Sequence, residues 1–527
     1  MELVFMNNMR LIQTADMKCD DAAIATVATW WGRNYEMAFS QLWDFKFLPE
    51  DTKNPNLIGT RIKTPDELSK YINLQKYHDI LTTRFDCKDS EEFEHLLLEE
   101  VKNGHPVMME IDPRNKPWAT KRELTDNLSF ILAYDFDRAK NGLICLDIHG
   151  SKKVEFLPMQ NFVQECKSRK TFYFGAFSKL EQKEIQIDWK EFLLNSVNNI
   201  CKNPENDYFG AIKSFADSFE NIDLELECSD SNFYMSPICW NMRNICRYRN
   251  LYALSLEYLS KKCNKREIDD IAKMFIQAGS KWYLGLAQLT KSVYVKSINK
   301  DIIERIKKAI YNAADFEKEI CESIYKLCDT GSLAQAKNFE VNSKDKISGK
   351  RFYNLPLDKY FNNKAFYTDE HIEDFDGTFS CFLKDGLPES GLVSVGEKTF
   401  DMRNCLLPKM DNISCRSQTI NIDFNERISG IYFLCCAEWG NFYENIKIIY
   451  KDNHTENCYV TFADWIYKTT YQGLTIAWQG KGMYENREKT ADVFIFEQAF
   501  PVNNEEIKAI ELPYLPNCHI FAITLSY

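Results

Sequence analysis

The sequence predicts a multidomain α+β chain. Residues 1–183 form a mixed α/β domain, 184–330 a helical bundle, 331–350 a linker and 351–527 a β-sandwich or jelly roll. Three observations carry this. The chain has 527 residues, about three domains at the usual domain size. Between Trp189 and Leu327 apolar residues recur three or four apart, as in Ile271, Met274, Phe275, Ala278 and Trp282. That is the period of packed helices. Beyond Leu355 it gives way to short apolar runs between turn residues, the signature of an antiparallel sandwich.

Composition narrows the function classes. A net charge of −12 argues against a nucleic-acid surface, which needs clustered Lys and Arg. The 18 cysteines are scattered, with no CxxC pair and only Cys435 and Cys436 adjacent, so zinc-ligand spacing is absent. No cofactor or metal is expected. The start, Met1-Glu2-Leu3-Val4-Phe5, has neither a basic region nor a long apolar run. No stretch approaches the ~20 apolar residues of a membrane span. A cytoplasmic protein with reduced thiols and no membrane partner is the expectation.

The first domain is organised around Cys19. Ala23, Val27 and Trp30/Trp31 share one helical face, and Gly32 ends the helix. A cysteine at a helix N-terminus sees the positive end of the helix dipole, which favours its thiolate. Gln13, six residues upstream, suits an oxyanion donor. Together they form the front half of a papain-like nucleophile site. Asp20 and Asp21 stabilise the helix start but oppose a thiolate by like charge, so only moderate reactivity near neutral pH is expected.

The remaining elements follow in order. Thr64 to Leu74 opens on Thr-Pro and Ser90 to Asn103 ends at Gly104, both as helices. Pro106 to Asp112 reads as a strand. Phe130 to Tyr134 and Leu143 to Asp147 read as a hairpin through Asn141-Gly142. A helix on an antiparallel sheet is the papain-type arrangement. Helices are expected at Trp189–Asn199, Tyr208–Phe219, Asn250–Cys263, Ile268–Leu289 and Lys300–Leu327. Strands are expected at Gly430–Cys436, Ile446–Tyr450, Asn457–Phe462, Leu474–Trp478, Ala491–Phe496, Ile507–Leu512 and Ile520–Leu525.

Gln13…Cys19-Asp20-Asp21-Ala22-Ala23, Gly104-His105-Pro106-Val107-Met108-Met109-Glu110-Ile111-Asp112 and Phe130-Ile131-Leu132-Ala133-Tyr134-Asp135, ending in Leu146-Asp147, resemble the N-terminal domain of the butirosin biosynthesis protein H-like family. That domain is similar to the bacteriocin-leader cysteine peptidases. Tyr208 to Ala216 and Arg247 to Ala253 resemble the helical domain that follows in the same family. The resemblance implies a papain-like fold and acyl transfer, from a carrier-protein thioester to an amine of an antibiotic. Phe361-Asn362-Asn363, Asp374-Phe375-Asp376-Gly377, Leu387-Pro388, Tyr450-Lys451-Asp452, Asp464-Trp465 and Cys518 to Leu525 resemble the jelly-roll modules attached to many glycoside hydrolases, which implies a possible carbohydrate partner.

The resemblance places Asp147 as the orienting acid but puts Asn127 where such enzymes carry histidine. Asparagine cannot accept a proton. His149, two residues past Asp147, is the nearest substitute base; His78, His95 and His105 also lie in this domain. Two readings follow. In one, Cys19 takes an acyl group from an acyl carrier protein or other acyl thioester donor and passes it to a small-molecule amine acceptor, and proteolysis is not expected. In the other, a catalytically degenerate papain-like scaffold binds a carrier protein, peptide or glycan without turnover. Trp439, Trp465 and Trp478 can stack on sugar or fill the sandwich core. Asp374 and Asp376 fit calcium or a plain turn.

Overall fold

The computed structural model describes residues 9–49, 57–120, 129–183, 185–203, 207–228, 233–295, 298–331, 338–339, 347, 351–368, 374–468, 473–484 and 489–527. The chain divides into two units. One comprises Met1–Asp44, Thr64–Asn203 and Arg247–Phe275; the other comprises Phe45–Lys63, Pro204–Cys246 and Ile276–Tyr527. The stretch 184–330, expected as a domain of its own, is therefore shared between them. Its helices are present, but Pro237–Cys263 and Arg266–Tyr294 run 27 and 29 residues. Tyr248 and Leu251 join the core of the first unit; Leu284 and Ala287 join the core of the second. Periodicity reveals a helix but not which core each part of its stripe enters. Most of the expected linker, 331–350, lies outside the described residues.

The first unit is a six-stranded antiparallel sheet with helices on both faces. Its strand order is Ile80–Asp86, Tyr173–Lys179, Val107–Ile111, Ser129–Asp137, Gly142–Asp147, Val154–Pro158. Strand residues alternate between two cores, as a pleated sheet requires. Leu132, Tyr134, Leu146 and Ile148 pack with Ala22, Ala23, Ile24 and Val27 of the Cys19–Trp30 helix. Ile131, Ala133, Leu143 and Cys145 pack instead with Phe93 and Leu97 of Ser90–Lys102 and Phe162 of Met159–Ser168. The expected hairpin is present, with Asn141 at φ +53°. The helix expected from Thr64 starts at Ser69. Asp66 accepts from Leu68 N at 2.9 Å and so holds the preceding turn apart from the helix.

The second unit contains the sandwich. The Arg427–Ala437 strand is buried on both faces. Ile431, Phe433 and Cys435 face one core; Tyr432, Leu434 and Cys436 face the other. Its unbroken apolar run is the mark of a strand covered on both sides. It pairs with Tyr514–Ser526 and with Lys489–Glu511. The latter is one strand of 23 residues where the sequence predicts two, Ala491–Phe496 and Ile507–Leu512. The intervening Pro501 and Asn504 read as a turn but form an irregularity inside the strand. Gly430 pairs with Pro501 and Ile428 with Glu505, and Asn504 sits at φ +56°. Past it the same strand pairs with Phe442–Tyr450.

The C-terminal half of the Arg266–Tyr294 helix belongs to this unit and is stitched to the strands. Glu444 accepts from Gln277 and from Lys281, each at 2.5 Å, and Ser280 Oγ accepts from Tyr443 N at 2.8 Å. Leu284, Ala287 and Ala309 enter the sandwich core. An autonomous domain starting near residue 350 would lose all of these. A 351–527 fragment is expected to unfold at lower urea than the same residues in the whole chain, or without a cooperative transition. Urea titration followed by tryptophan fluorescence checks this, and equal midpoints refute it.

Candidate functional site

Cys19 is the first residue of its helix and is half-buried. Lys18 precedes it, and Asp21 reaches back to accept from Lys18 N at 3.0 Å, the acidic half of a capping box. The segment upstream is fixed by Ile12 N donating to Thr26 Oγ1 at 3.0 Å. Gln13, in that segment, is half-buried, and among the described residues its side chain makes no hydrogen bond.

A buried charge network surrounds the helix start. Lys70 Nζ lies 2.5 Å from Asp20, 2.7 Å from Asp21 and 3.5 Å from Glu67. Burial opposes the Lys70 charge, but Asp21, Asp20 and Glu67 outweigh it and hold the ammonium well above the usual lysine value. Glu67 also accepts from Lys18 Nζ and Tyr248 OH, each at 2.5 Å. Burial opposes the Glu67 charge as well, yet Lys70 and Lys18 bring it down to about 2. Asn250 donates to Asp16 at 2.9 Å, and Arg247 contributes a positive field at Cys19. The stretch Arg247 to Asn250, expected in a separate helical domain, thus lines the cysteine's surroundings. The sequence reading missed Lys70 and Glu67. The signal for them was the double acid Asp20-Asp21, which demands a buried counter-cation.

Burial, then Asp20 and Asp21, push the Cys19 thiol up to about 11, against the helix N–H and Arg247. The opposed fields seen in the sequence thus resolve toward the neutral thiol, because desolvation joins the carboxylates. None of the groups that set this value is an imidazole. His78 Nε2 accepts from Met37 N at 3.1 Å, His105 pairs with Glu100 at 2.7 Å, and His95 is exposed beside Glu99.

Asp147 is fully buried, and its oxygens are committed elsewhere. They accept from Trp118 Nε1 at 2.7 Å, Lys116 Nζ at 2.8 Å, and the amides of Gly150, Ser151 and His149 at 2.9, 3.1 and 3.2 Å. Its pair Ile131 and its neighbour Cys145 face the core opposite the Cys19 helix, so Asp147 points to that side. The strand ends at Asp147 and the chain turns, so His149 does not continue the strand face and is exposed. Asn127 lies outside the described residues. The structure therefore groups Cys19 with Lys70 and its carboxylates, and places Asp147 on the other side of the sheet.

In the second unit, residues 352–527 form the sandwich strands described above. These residues match a known family. Its description is AziU2-like beta-sandwich domain, and the match spans 352–527. No curated protein matches the chain. Within the matched residues, Trp465 and Trp478 are core residues, and Trp478 Nε1 donates to Gly386 O at 3.1 Å. Trp439 is only partly buried. Asp374 accepts from Gly377 N at 2.7 Å and Phe379 N at 2.9 Å; Asp376 accepts from Thr378 N at 2.8 Å. Both acids close their own turn. Among the described residues, no helix is long and apolar enough to cross a membrane.

Two outcomes are expected. Iodoacetamide labelling of Cys19 should keep accelerating with pH past the ordinary thiol value of about 8.5. A plateau at or below that value refutes the buried-thiol account. Asp147→Asn should destabilise the first unit by about 3–5 kcal/mol by stranding the buried Lys116 charge. Burial raises the Asp147 carboxyl, but Lys116 and the turn amides outweigh it, so its folded pKa is lowered. The wild-type advantage is then complete above the unfolded value of about 3.9 and lost as pH falls below it. Equal stability of both proteins near neutral pH contradicts this.

Proposed function

We propose that the first unit is a papain-like scaffold of the butirosin biosynthesis protein H-like kind that binds an acyl carrier protein, peptide or glycan without turnover. One observation carries the reading: Cys19 is half-buried at a helix start beside Asp20 and Asp21, and burial, then these two carboxylates, push its thiol up to about 11. At neutral pH such a group is almost wholly protonated, and the thiolate is the nucleophile. The commitment of Asp147 to Lys116 and Trp118 supports the same reading. A setting in natural-product biosynthesis and in the cytoplasm accords with it, and all 18 cysteines are free thiols, as a reducing compartment maintains.

Acyl transfer through Cys19 to an amine is the second reading, favoured by the uncommitted Gln13 and by Cys19's place at a helix N-terminus. A carrier thioester expels a good leaving group, and an entering amine brings its own proton, so this chemistry needs a general base less than proteolysis does. Intact mass spectrometry after incubation with an acyl-carrier thioester separates the two. The scaffold reading expects the carrier to co-elute with the protein and no acyl adduct to form. An adduct that maps to Cys19 and vanishes in Cys19→Ser overturns it in favour of transfer.

A further inference from the structure

Two buried polar atoms at one end of the sandwich have no hydrogen-bond partner among the described residues: Glu438 Oε2 and His519 Nε2. Their side chains are almost wholly inaccessible, the residues being 3 % and 1 % exposed. Orphaned buried polar atoms are costly and rare, and these two belong to side chains that lie beside one another. His519 Nε2 lies 4.0 Å from Glu438 Oε1, too far for a direct bond.

The hydrogen-bond network fixes what the pair offers. His519 Nδ1 is 2.7 Å from Asn412 Oδ1. The Asn412 amide nitrogen is spent on Asn363 Oδ1 and Asp411 Oδ1, both at 2.9 Å, so its oxygen faces the ring. Nδ1 therefore donates, and Nε2 presents a lone pair. Burial, with Lys291 and Arg416 nearby, keeps the imidazole neutral by lowering its pKa well below the usual value. Glu438 Oε1 accepts from Lys291 Nζ at 3.1 Å, which leaves Oε2 bare.

The surrounding charge is unbalanced. Burial lifts Glu438 to about 8; Lys291 opposes this, and Asp376 and Asp374 reinforce it. Asp464 rises to about 7 through burial, and Asp376 again repels it. Burial thus raises Glu438, Asp374 and Asp464 alike, and Lys291 is the one cation that opposes this at Glu438 and Asp374. Trp439 follows Glu438 directly. Its Nε1 lies 3.4 Å from the Asp376 carbonyl, and its ring centroid is 5.0 Å from that of Tyr294. An aromatic face beside carboxylates suits a cation.

We propose that this is a binding site for the protonated amino group of a small amine, which donates to Glu438 Oε2 and His519 Nε2 and lies against Trp439. The proposal is independent of any chemistry at Cys19. Occupancy supplies the missing positive charge, ionises Glu438 and releases a proton near neutral pH. The groups facing Glu438 are Lys291, Asp374, Asp376, His519 and the neutral thiols of Cys436 and Cys518.

Calorimetry on the full-length chain tests it, with ethanolamine and glucosamine as probes and ethylene glycol and glucose as their neutral counterparts. Both amines are expected to bind saturably, to change Trp439 fluorescence, and to release a proton seen as a buffer-dependent heat; the neutral counterparts are expected to do none of these. Glu438→Gln should weaken amine binding about tenfold or more, the loss of one charge-assisted hydrogen bond. If that variant does not fold, the wild-type His519 Nε2 nitrogen resonance serves instead, and should shift on amine addition. Absence of amine binding, an equal response to the neutral counterparts, unchanged affinity in Glu438→Gln, or a static His519 resonance each overturns the proposal. An equal response would assign the pair to a hydroxyl or a structural water.

Discussion

The first unit depends on one buried cation. Lys70, with no exposed side-chain surface, holds Asp20 at 2.5 Å and Asp21 at 2.7 Å. An ammonium in that position is tolerable only while both carboxylates face it, and they are tolerable only while it faces them. The mutual requirement ties the start of the Cys19 helix to the Ser69–His78 helix at a fixed angle and depth. Glu67, Lys18 and Tyr248 extend the tie outward. Cys19 is thus set in a rigid frame whose charges were arranged for the frame and not for the thiol. The carboxylates that complete the ion pair also raise the energy of a thiolate next to them.

Much of the fold was legible because it rests on local signals. The Gly32, Gly104 and Asn141 positions, all at positive φ, ended elements where the chain predicted they would. The Cys19 helix and the Ser129–Asp137 hairpin followed from period and turn chemistry. What failed were choices that only three dimensions make. Pro501 and Asn504 carry the chemistry of a turn, and the neighbouring strand turned them into an irregularity. The helical stripe from Pro237 onward had the right period, yet its residues divide between two cores.

The helix start at Cys19 was legible in the sequence, and the groups that surround it were not. Cys19 and Gln13 are near in sequence and belong to one helix start, so spacing reports on them. Asp147 shows why spacing is insufficient: the pleat sends its side chain to the face away from Cys19. Lys70 and Tyr248 lie far from Cys19 in the chain, and nothing local in either marks a partner of the helix start.

The 23-residue strand that runs through Pro501 pairs with Thr475–Tyr484 before the irregularity, with Arg427–Ala437 on both sides of it, and with Thr419–Asn421 and Phe442–Tyr450 after it. Sandwiches normally join their layers by loops, which tolerate insertion and slip. Here the joint is continuous hydrogen-bonded backbone. Neither layer can shift register without dragging the other, because one chain segment fixes both ladders. The two layers should therefore exchange their amide protons as a single cooperative block, and insertions that a loop would absorb should be lethal to folding between Val502 and Asn504.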